Sequence, residues 1–346
     1  MKKSSLLLSA AVLILASCVN GKGSGYKPGS SGVPYEVLLV SAPANFQNGA
    51  IDAVTEVLED YVPGLPQAES AFKVSKVTEN KFSSVLHYCR NIIMVNVDAT
   101  LSAPKLKYSR DVYAAPQVIL TVQAPDAKSL IDYVGQNGET IVGFLTRIEM
   151  NRAAETLRKK HSLVIEEKVK NQFGCDVWVP QELVKTKTGK DFFWASTDLG
   201  QRDMNFVIYS YPYRDPNTFT EEYFLNKRDS VMKVNIPGPR EGQYMATARP
   251  YVLFSEETVR GKYAQVVRGL WEMENYDMGG PFVSVGRVDE KNQRVVVAEG
   301  FVYAPGDQKK DLMRRMEAAL YTLMLPDDID ERRFSYNIEE VTIGVD

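Results

Sequence analysis

Cys18 is the residue of this 346-residue chain whose position most clearly predicts a covalent modification. It follows a positively charged start at residues 1–3 and an apolar run over residues 6–15. A positive start, an apolar run of about 7–15 residues and small residues before a cleavage site are the features of a secretory signal. The run is shorter than the roughly 20 apolar residues that a bilayer-spanning helix needs. We therefore predict that residues 1–17 are a cleaved signal peptide.

The tetrapeptide Leu15-Ala16-Ser17-Cys18 resembles a bacterial lipobox. In that family of signals the cysteine thiol receives a diacylglyceryl group, the chain is cut before the cysteine, and the new amine is usually acylated. Two or three acyl chains would hold the protein on a membrane, because each buried CH₂ contributes about 0.8 kcal/mol. The alternative is a plain secretory signal with an incidental cysteine. The resemblance implies that the membrane is a partner through the lipid on Cys18.

The residues after Cys18 give two further expectations. Val19, rather than an aspartate, follows the cysteine, and no acidic cluster is present. By resemblance to known lipoprotein sorting signals, this implies an outer-membrane location facing the periplasm. Residues 18–34 are rich in Gly, Ser and Lys, a composition typical of a flexible tether.

Charge and composition exclude one class of partner. The chain has 41 basic and 44 acidic residues, and removal of residues 1–17 would take away two lysines and no acid. The charges are well mixed along the sequence, whereas a nucleic-acid-binding domain needs a concentrated basic patch. The basic run that includes Arg147, Arg152 and Arg158 is interpreted as a solvated helix face. We therefore expect no nucleic-acid partner.

Cys89 and Cys175 are the cysteines that remain after Cys18. The periplasm permits disulfides, so a Cys89–Cys175 bridge could join the two halves of the chain. Two separate buried thiols are the alternative. Both interpretations stay open, since the sequence does not show whether the two Cα atoms come within about 7 Å.

Catalytic and metal-binding patterns are scarce. The two histidines, His87 and His161, and the two remaining cysteines lack the paired spacing of a zinc site. The chain has no G-x-S-x-G motif, and its glycine-rich segment falls in the tether, outside any strand-to-helix turn. We predict no metal and no cofactor, and the sequence favours a protein that is not an enzyme. A pair of carboxylates that meet only in the fold remains the alternative.

Aromatic residues in the second half are candidates for a binding surface. Trp194, Tyr211 and Tyr213 are the three that we select. Pro212 indicates a strand end or loop, where the tyrosines beside it could be exposed and could stack on a glycan or a partner. Packing in the core is the alternative, because strands are enriched in aromatic residues in any case.

Periodicity predicts an α+β fold with mostly antiparallel sheets and packed amphipathic helices. Strand patterns occupy residues 35–41, 72–77, 92–97, 117–123, 175–179, 191–195, 204–211, 251–254, 263–273, 282–288 and 294–303. Helical patterns occupy residues 51–61, 82–89, 141–148, 165–173, 218–234 and 307–325, and one more helix follows Asp126. Residues 101–115 are expected to form a loop.

Two halves follow from this order of elements. We predict an α+β unit over residues 35–174 and a strand-rich α+β unit over residues 175–346. Residues 118–134 and 297–316 both predict a strand, an Ala-Pro pair, an aspartate and a helix. The two halves could therefore be related by duplication, although turn chemistry alone can produce the same pattern.

The chain resembles an uncharacterised family of Bacteroidota lipoproteins, a domain of unknown function. The resemblance is carried by residues 15–18, by residues 210–214 with the helix after Thr218, and by residues 300–305. It implies lineage, a lipoprotein nature and residence in the cell envelope, and it brings no known activity.

The function expected from these features is that of a lipid-anchored envelope protein that binds other envelope components as an accessory or scaffold. Two alternatives are a peptidoglycan or glycan hydrolase that uses a carboxylate pair, and a glycan-binding module.

Overall fold

A computed structural model describes residues 27–330 and 344–345 of the chain. It contains a six-stranded and a seven-stranded sheet with helices packed against both, so the predicted α+β class is confirmed. Seven of the eleven strand pairings are antiparallel. Of the helices that the structure describes, none is both long and apolar enough to cross a membrane.

The first half of the chain forms the six-stranded sheet. Its strands are β1 (Glu36–Ser41), β2 (Lys73–Thr78), β3 (Asn91–Val97), β4 (Lys105–Arg110) and β5 (Val118–Ala124), joined by β13 (Gly344–Val345) from the end of the chain. Its helices are α1 (Ala50–Leu58), α2 (Ala127–Gln136) and α3 (Gly138–Lys159).

This first sheet differs from the expected antiparallel pairing. The strand order is β13-β4-β5-β3-β1-β2, and β2, β1, β3 and β5 run parallel to one another. Parallel neighbours need crossover connections, and α1 supplies one between β1 and β2. The three helices pack on one face of the sheet, around Leu39 and Val95. Leu38 and Ile92 face the other side, where residues 82–89 cover them.

Residues 101–115 were expected to form a loop, but they contain strand β4. It pairs antiparallel with β5 on one side and parallel with β13 on the other. Its sequence, KLKYSR, has one buried side chain, Leu106. Backbone pairing, rather than an apolar face, therefore defines this strand, and hydrophobic periodicity could not detect it.

The second half forms the seven-stranded sheet. Its strands are β6 (Lys185–Gly189), β7 (Phe192–Ser196), β8 (Asp203–Pro212), β9 (Met245–Val259), β10 (Lys262–Met273), β11 (Tyr276–Asp289) and β12 (Arg294–Tyr303). Its helices are α4 (Leu163–Phe173), α5 (Glu221–Asn235), α6 (Lys310–Leu320) and α7 (Pro326–Asp330).

The seven-stranded sheet is antiparallel throughout, in the order β6-β7-β8-β12-β11-β10-β9. Helix α5 packs on one face, where Phe224 and Met232 join the buried cluster. Helices α4 and α6 pack on the other face, through side chains that include Val169 and Met316. Helix α4, which falls within the predicted unit of residues 35–174, therefore packs in the core of the second half.

Residues 175–179 do not form the predicted strand. The segment is buried, but its strand-like pairing is a single bridge between Asp176 and Met324. It is an apolar connection from α4 into the core of the second half. An apolar run of this length is compatible with either role, and only the partner decides between them.

Two helix starts also differ from the predictions. Helix α5 is capped by Thr220, whose hydroxyl accepts from the Tyr223 amide, while Thr218 is buried in the preceding 3-10 turn. Helix α6 begins at Lys310, and its N-cap residue Lys309 provides no side-chain cap.

The two halves do not share a topology, because one sheet is mainly parallel and the other antiparallel. The two segments that share the strand-turn-helix pattern differ in the residue that caps the helix. Asp126 caps α2 through the Ser129 amide, whereas α6 is capped by Glu69 of the first half. The likeness between residues 118–134 and 297–316 therefore reflects local turn chemistry.

Candidate functional site

A cleft of about 750 Å³ lies where the two halves of the molecule meet. One part of its wall is α3 and another is the N-terminal half of α6. The remaining wall comes from residues 30–35, from Arg90 at the start of β3, and from the ends of β4 and β5. The cleft is therefore assembled from segments that lie far apart in the sequence.

Residues 28–35 enter the fold beside this cleft. The Ser31 amide donates to the Tyr88 carbonyl at 2.7 Å, and the Ala115 amide donates to the Pro28 carbonyl at 2.9 Å. Ser30, Val33 and Pro34 line the cleft. The segment from Pro28 to Pro34, which its composition assigned to the tether, is thus held by backbone hydrogen bonds because it runs against the loops of the first sheet.

Glu149 is the buried charge at the centre of the α3 wall, with 1% of its surface exposed. Arg90 donates to both of its oxygens, at 3.0 and 2.8 Å, and Arg152 donates to Oε1 at 2.7 Å. The Asn91 amide adds a fourth hydrogen bond at 2.8 Å. Two guanidinium groups therefore share one carboxylate.

Arg152 is fixed by further contacts. One Nη donates to the Asn91 side-chain oxygen at 2.7 Å and the other to the Arg90 carbonyl at 3.0 Å. Burial lowers the pKa of the Arg152 guanidinium, against the favourable charge of Glu149, and the nearby Arg90 lowers it further. The effect of Arg90 reflects the repulsion between two guanidinium groups that share one carboxylate.

Tyr35 and Arg314 form the part of the wall nearest α6. The Arg314 guanidinium lies 5.4 Å from the centre of the Tyr35 ring and donates to Glu317 at 3.1 Å. Tyr35 is 6% exposed and Arg314 is 8% exposed. The Tyr35 hydroxyl and the Arg314 Nε have no hydrogen-bond partner among the described residues. Burial raises the pKa of Tyr35 well above its ordinary value, so the hydroxyl keeps its proton.

The cleft is positively charged in a protein whose net charge is negative. Its lining contains six basic and four acidic side chains, whereas the whole chain has a formal net charge of −3. The basic residues are Arg90, Arg110, Arg152, Lys159, Arg314 and Arg315. Charged walls around a concave site attract ligands of the opposite sign.

Glu149 is fully engaged with its neighbours and is not free for acid–base chemistry. Glu149 accepts four hydrogen bonds and has no remaining role as a proton donor or acceptor. A glycosidase needs two carboxyl groups about 5–10 Å apart across a sugar. Tyr35 is the one aromatic residue among the described residues that line the cleft, so a stacking platform for sugars is missing from that part of the wall.

The aromatic residues selected from the sequence do not form an exposed surface. Tyr211 was expected to be exposed, but it is 7% exposed because β8 continues through Pro212 and turns its side chain towards α5. It lies 6.0 Å from Tyr223, measured between ring centres. Burial raises the pKa of Tyr211 above its ordinary value.

Trp194 and Tyr213 are half-buried and pack against the same cluster below α5. The Trp194 indole donates to Asn205 at 3.1 Å, and the Tyr213 ring lies 6.1 Å from Phe219. The core alternative therefore describes these residues better than a binding platform does.

Cys89 and Cys175 are both free thiols, so the bridge considered from the sequence is not formed. Cys89 packs beneath the first sheet and Cys175 in the core of the second half. The two residues belong to separate clusters, which explains why they do not pair. Cys18 lies outside the described residues.

Metal ligation receives no support from the described part of the chain. Across residues 27–330 and 344–345, no three His, Cys, Asp or Glu side chains are grouped to hold a metal ion. His161 contacts the Leu157 carbonyl at 2.8 Å and Glu166 at 3.0 Å. This places His161 in a local hydrogen-bonded cluster at the end of α3.

The cleft residues were missed because they looked like ordinary surface charges. Arg152 was assigned to a solvated helix face, yet it continues the apolar stripe of Ile141, Leu145 and Ile148 at helical spacing. A charge on the buried stripe of a helix was the signal available in the sequence. Tyr35 and Arg314 carried no comparable signal.

Both halves of the chain match families that have no assigned function. Residues 162–322 match the family model described as "Domain of unknown function (DUF4837)", and residues 30–158 match "Domain of unknown function (DUF8532)". No curated protein matches the chain. The chain is therefore similar to two uncharacterised domain families.

Solved structures give partial likenesses. The Ran-binding protein Mog1p of Saccharomyces cerevisiae is 9% identical, with a TM-score of 0.29, and the match covers 44% of this chain and 90% of that one. The lipid transfer and protein localization domain of human StarD13 is 10% identical, with a TM-score of 0.20, covering 45% and 94%. At these TM-scores neither likeness bears on function.

Proposed function

We propose that this chain is a lipid-anchored envelope protein that acts by binding, without catalysis, as an accessory or scaffold for other envelope components. The observation that supports this most directly is the cleft between the two halves. Its wall holds fixed guanidinium groups, while its buried carboxylate, Glu149, is fully occupied by Arg90, Arg152 and Asn91. Such a site can retain a ligand, and its buried carboxylate is not available as an acid or a base.

The location proposed for the protein is the outer membrane, facing the periplasm, in a lineage of Bacteroidota lipoproteins. The lipobox resemblance at residues 15–18 and the valine at position 19 support this proposal. Ten positions separate Cys18 from Pro28, where the chain joins the folded body, and a tether of that length, flexible as its composition predicts, would span roughly 17 Å. The cleft, lined by Ser30 and Pro34, would then stay close to the bilayer surface.

Mass spectrometry of the protein purified from native membranes tests the anchor. We expect the mature chain to begin at an acylated Cys18 and to fractionate with membranes. The Cys18→Ser variant is the control, and it should be neither acylated nor retained by membranes. Wild-type protein found unmodified in the soluble fraction would contradict the proposal.

Filling the cleft tests its role in binding. Ala153 lies on the cleft wall of α3, and Ala153→Trp would occupy part of the volume. We expect native mass spectrometry of the wild-type protein from envelope extracts to detect a retained ligand that Ala153→Trp loses. Val164→Trp, at an exposed position of α4, is the matched control and should retain it. Absence of any retained ligand, or equal retention by Ala153→Trp, would contradict a binding role for the cleft.

A further inference from the structure

We propose that the ligand of the cleft carries an oxyanion, a phosphate or carboxylate group, bound by the Tyr35 hydroxyl and the Arg314 guanidinium in the field of Arg152. This inference rests on the proposed function of the cleft and names the chemistry of its ligand.

The first observation is that two buried polar groups have no hydrogen-bond partner among the described residues. The Tyr35 hydroxyl and the Arg314 Nε are buried in residues that line the cleft, and neither has a hydrogen-bond partner among the described residues. A buried polar group that makes no hydrogen bond is costly, and such groups in native proteins call for an explanation. An arginine Nε can only donate, and a tyrosine hydroxyl can donate. The complementary ligand group is therefore a hydrogen-bond acceptor.

The charges of the cleft side chains indicate that the hydrogen-bond-accepting group of the ligand is an anion. Arg90 and Arg152 share the single buried carboxylate of Glu149, and the six basic side chains of the cleft lining outnumber its four acidic ones. A metal ion would need several grouped ligands, which the described part of the chain does not provide, and the Glu149 oxygens beside these donors already accept four hydrogen bonds. A bound oxyanion would balance the excess charge and accept the free donors.

The donors are held in place before any ligand arrives. Arg152 is fixed by Asn91 and by the Arg90 carbonyl, and Arg314 is fixed between Glu317 and the Tyr35 ring. Tyr35 itself packs its ring against Phe72, 5.7 Å away between ring centres. Preorganised donors lose little conformational freedom on binding, which favours affinity. Because α6 and the first half supply different donors, a bound anion would also link the two halves.

Calorimetric titration of the full chain in detergent tests the ligand class. The probes are inorganic phosphate, succinate and dihexanoyl phosphatidylglycerol, with dihexanoylglycerol as the lipid that lacks a phosphate. Binding of phosphate or succinate would identify a soluble anion. Binding of the phosphatidylglycerol without the soluble anions or the neutral lipid would identify a lipid headgroup. Either result supports the proposal.

Two variants test the assigned donors. Tyr35→Phe removes only the hydroxyl and should weaken binding about tenfold, the loss typical of one hydrogen bond to a charged group. The same variant should raise the melting temperature of the unliganded protein by about 2 °C, because it removes an unsatisfied buried group. Arg314→Lys retains the charge but loses the Nε donor, and it should also bind about tenfold more weakly.

Tyr251→Phe and Arg249→Lys, at exposed positions of β9, are the matched controls and should bind like the wild type. No binding of any anionic probe, or unchanged affinity in both Tyr35→Phe and Arg314→Lys, would overturn the proposal. If Ala153→Trp still abolished retention of a ligand from envelope extracts, the cleft would remain a binding site and only the anion assignment would fail.

Discussion

Arg228 of α5 is a fully buried charge that faces the seven-stranded sheet. Its Nε and one Nη donate to Glu299 of β12 at 2.9 and 2.7 Å, and the other Nη donates to Thr247 at 2.8 Å. The guanidinium also lies 3.9 Å from the centre of the Phe282 ring. The charge of Glu299 raises the pKa of Arg228 despite the opposing effect of burial. Arg228 therefore stays charged inside the protein.

Removal of one partner should be far more costly than removal of both. We expect Arg228→Met to lower the free energy of unfolding by about 3–5 kcal/mol, because Glu299 would be left buried without a counter-charge. The double variant Arg228→Met, Glu299→Leu should recover much of that loss. Guanidinium chloride denaturation measures both effects. Arg249→Met, which breaks an exposed ion pair with Asp229, is the control, and a similar loss in that variant would contradict the argument.

The two described thiols should be free but slow to react. Burial raises the pKa of Cys175 to about 12 and also raises the pKa of Cys89. Because the thiolate is the reactive form, we expect Cys175 to resist alkylation in the native state at neutral pH. Denaturation without reductant should expose both thiols to the reagent, and Cys89→Ser should expose one fewer. Resistance of both thiols to labelling after denaturation would indicate the bridge that the structure lacks.

Helix α6 depends on a cap from the other half of the chain. The Lys309 and Lys310 amides donate to the two Glu69 carboxylate oxygens at 2.7 and 3.0 Å. Glu69 is 5% exposed and belongs to the segment between α1 and β2. A carboxylate at a helix N-terminus satisfies free amides and interacts favourably with the helix dipole. The contact therefore stabilises α6 and the junction between the halves together.

Loss of this cap should have a measurable effect. We expect Glu69→Ala to lower the free energy of unfolding by about 1–2 kcal/mol, the range typical of helix caps. Chemical denaturation followed by circular dichroism measures it. Glu56→Ala removes an exposed glutamate from α1 and should change stability little. Equal stability of Glu69→Ala and Glu56→Ala would show that the cap is unimportant.

At the scale of the whole molecule, one ion network joins the cleft to the second sheet. Glu317 of α6 accepts from Arg314, which lines the cleft, and from Arg268 of β10. Arg268 also pairs with Glu257 of β9 at 3.4 Å. Burial opposes ionisation of Glu317, but Arg268 and Arg314 together lower its pKa below the ordinary value. The junction therefore depends on an ionised carboxylate.

This dependence predicts a loss of stability in acid. A carboxyl group whose pKa is lower in the folded state stabilises the fold above its ordinary pKa of 4.5 and loses that effect as the pH falls through the folded value. Glu317→Gln should be less stable than the wild type at neutral pH, and the difference should shrink below pH 4.5. Denaturation at several pH values measures it. A difference that stays constant with pH would contradict this account. Glu56→Gln, at an exposed position of α1, is the control and should show no such pH-dependent difference.

Local sequence patterns determined most of the secondary structure. The apolar run of β1, the Asp126 cap of α2 and the hairpin of β11 and β12 each depend on residues close together in the chain. Such patterns reflect the local geometry of strands, caps and turns, which depends on neighbouring residues and not on distant parts of the chain. The resemblance of residues 15–18 to a lipobox is likewise local, and the lipid anchor at Cys18 stays a prediction.

Only the tertiary structure decided where charges and aromatic side chains lie. Strand β4 forms through backbone pairing that its polar sequence does not announce, and Tyr211 is buried because β8 extends past it. Glu69 lies 240 residues from Lys309, the N-cap residue of the helix whose first amides it binds. The cleft residues Tyr35, Arg152 and Arg314 also come from distant segments of the chain. Hydrophobic periodicity records which face of an element is buried, but it carries no information about which distant element covers that face.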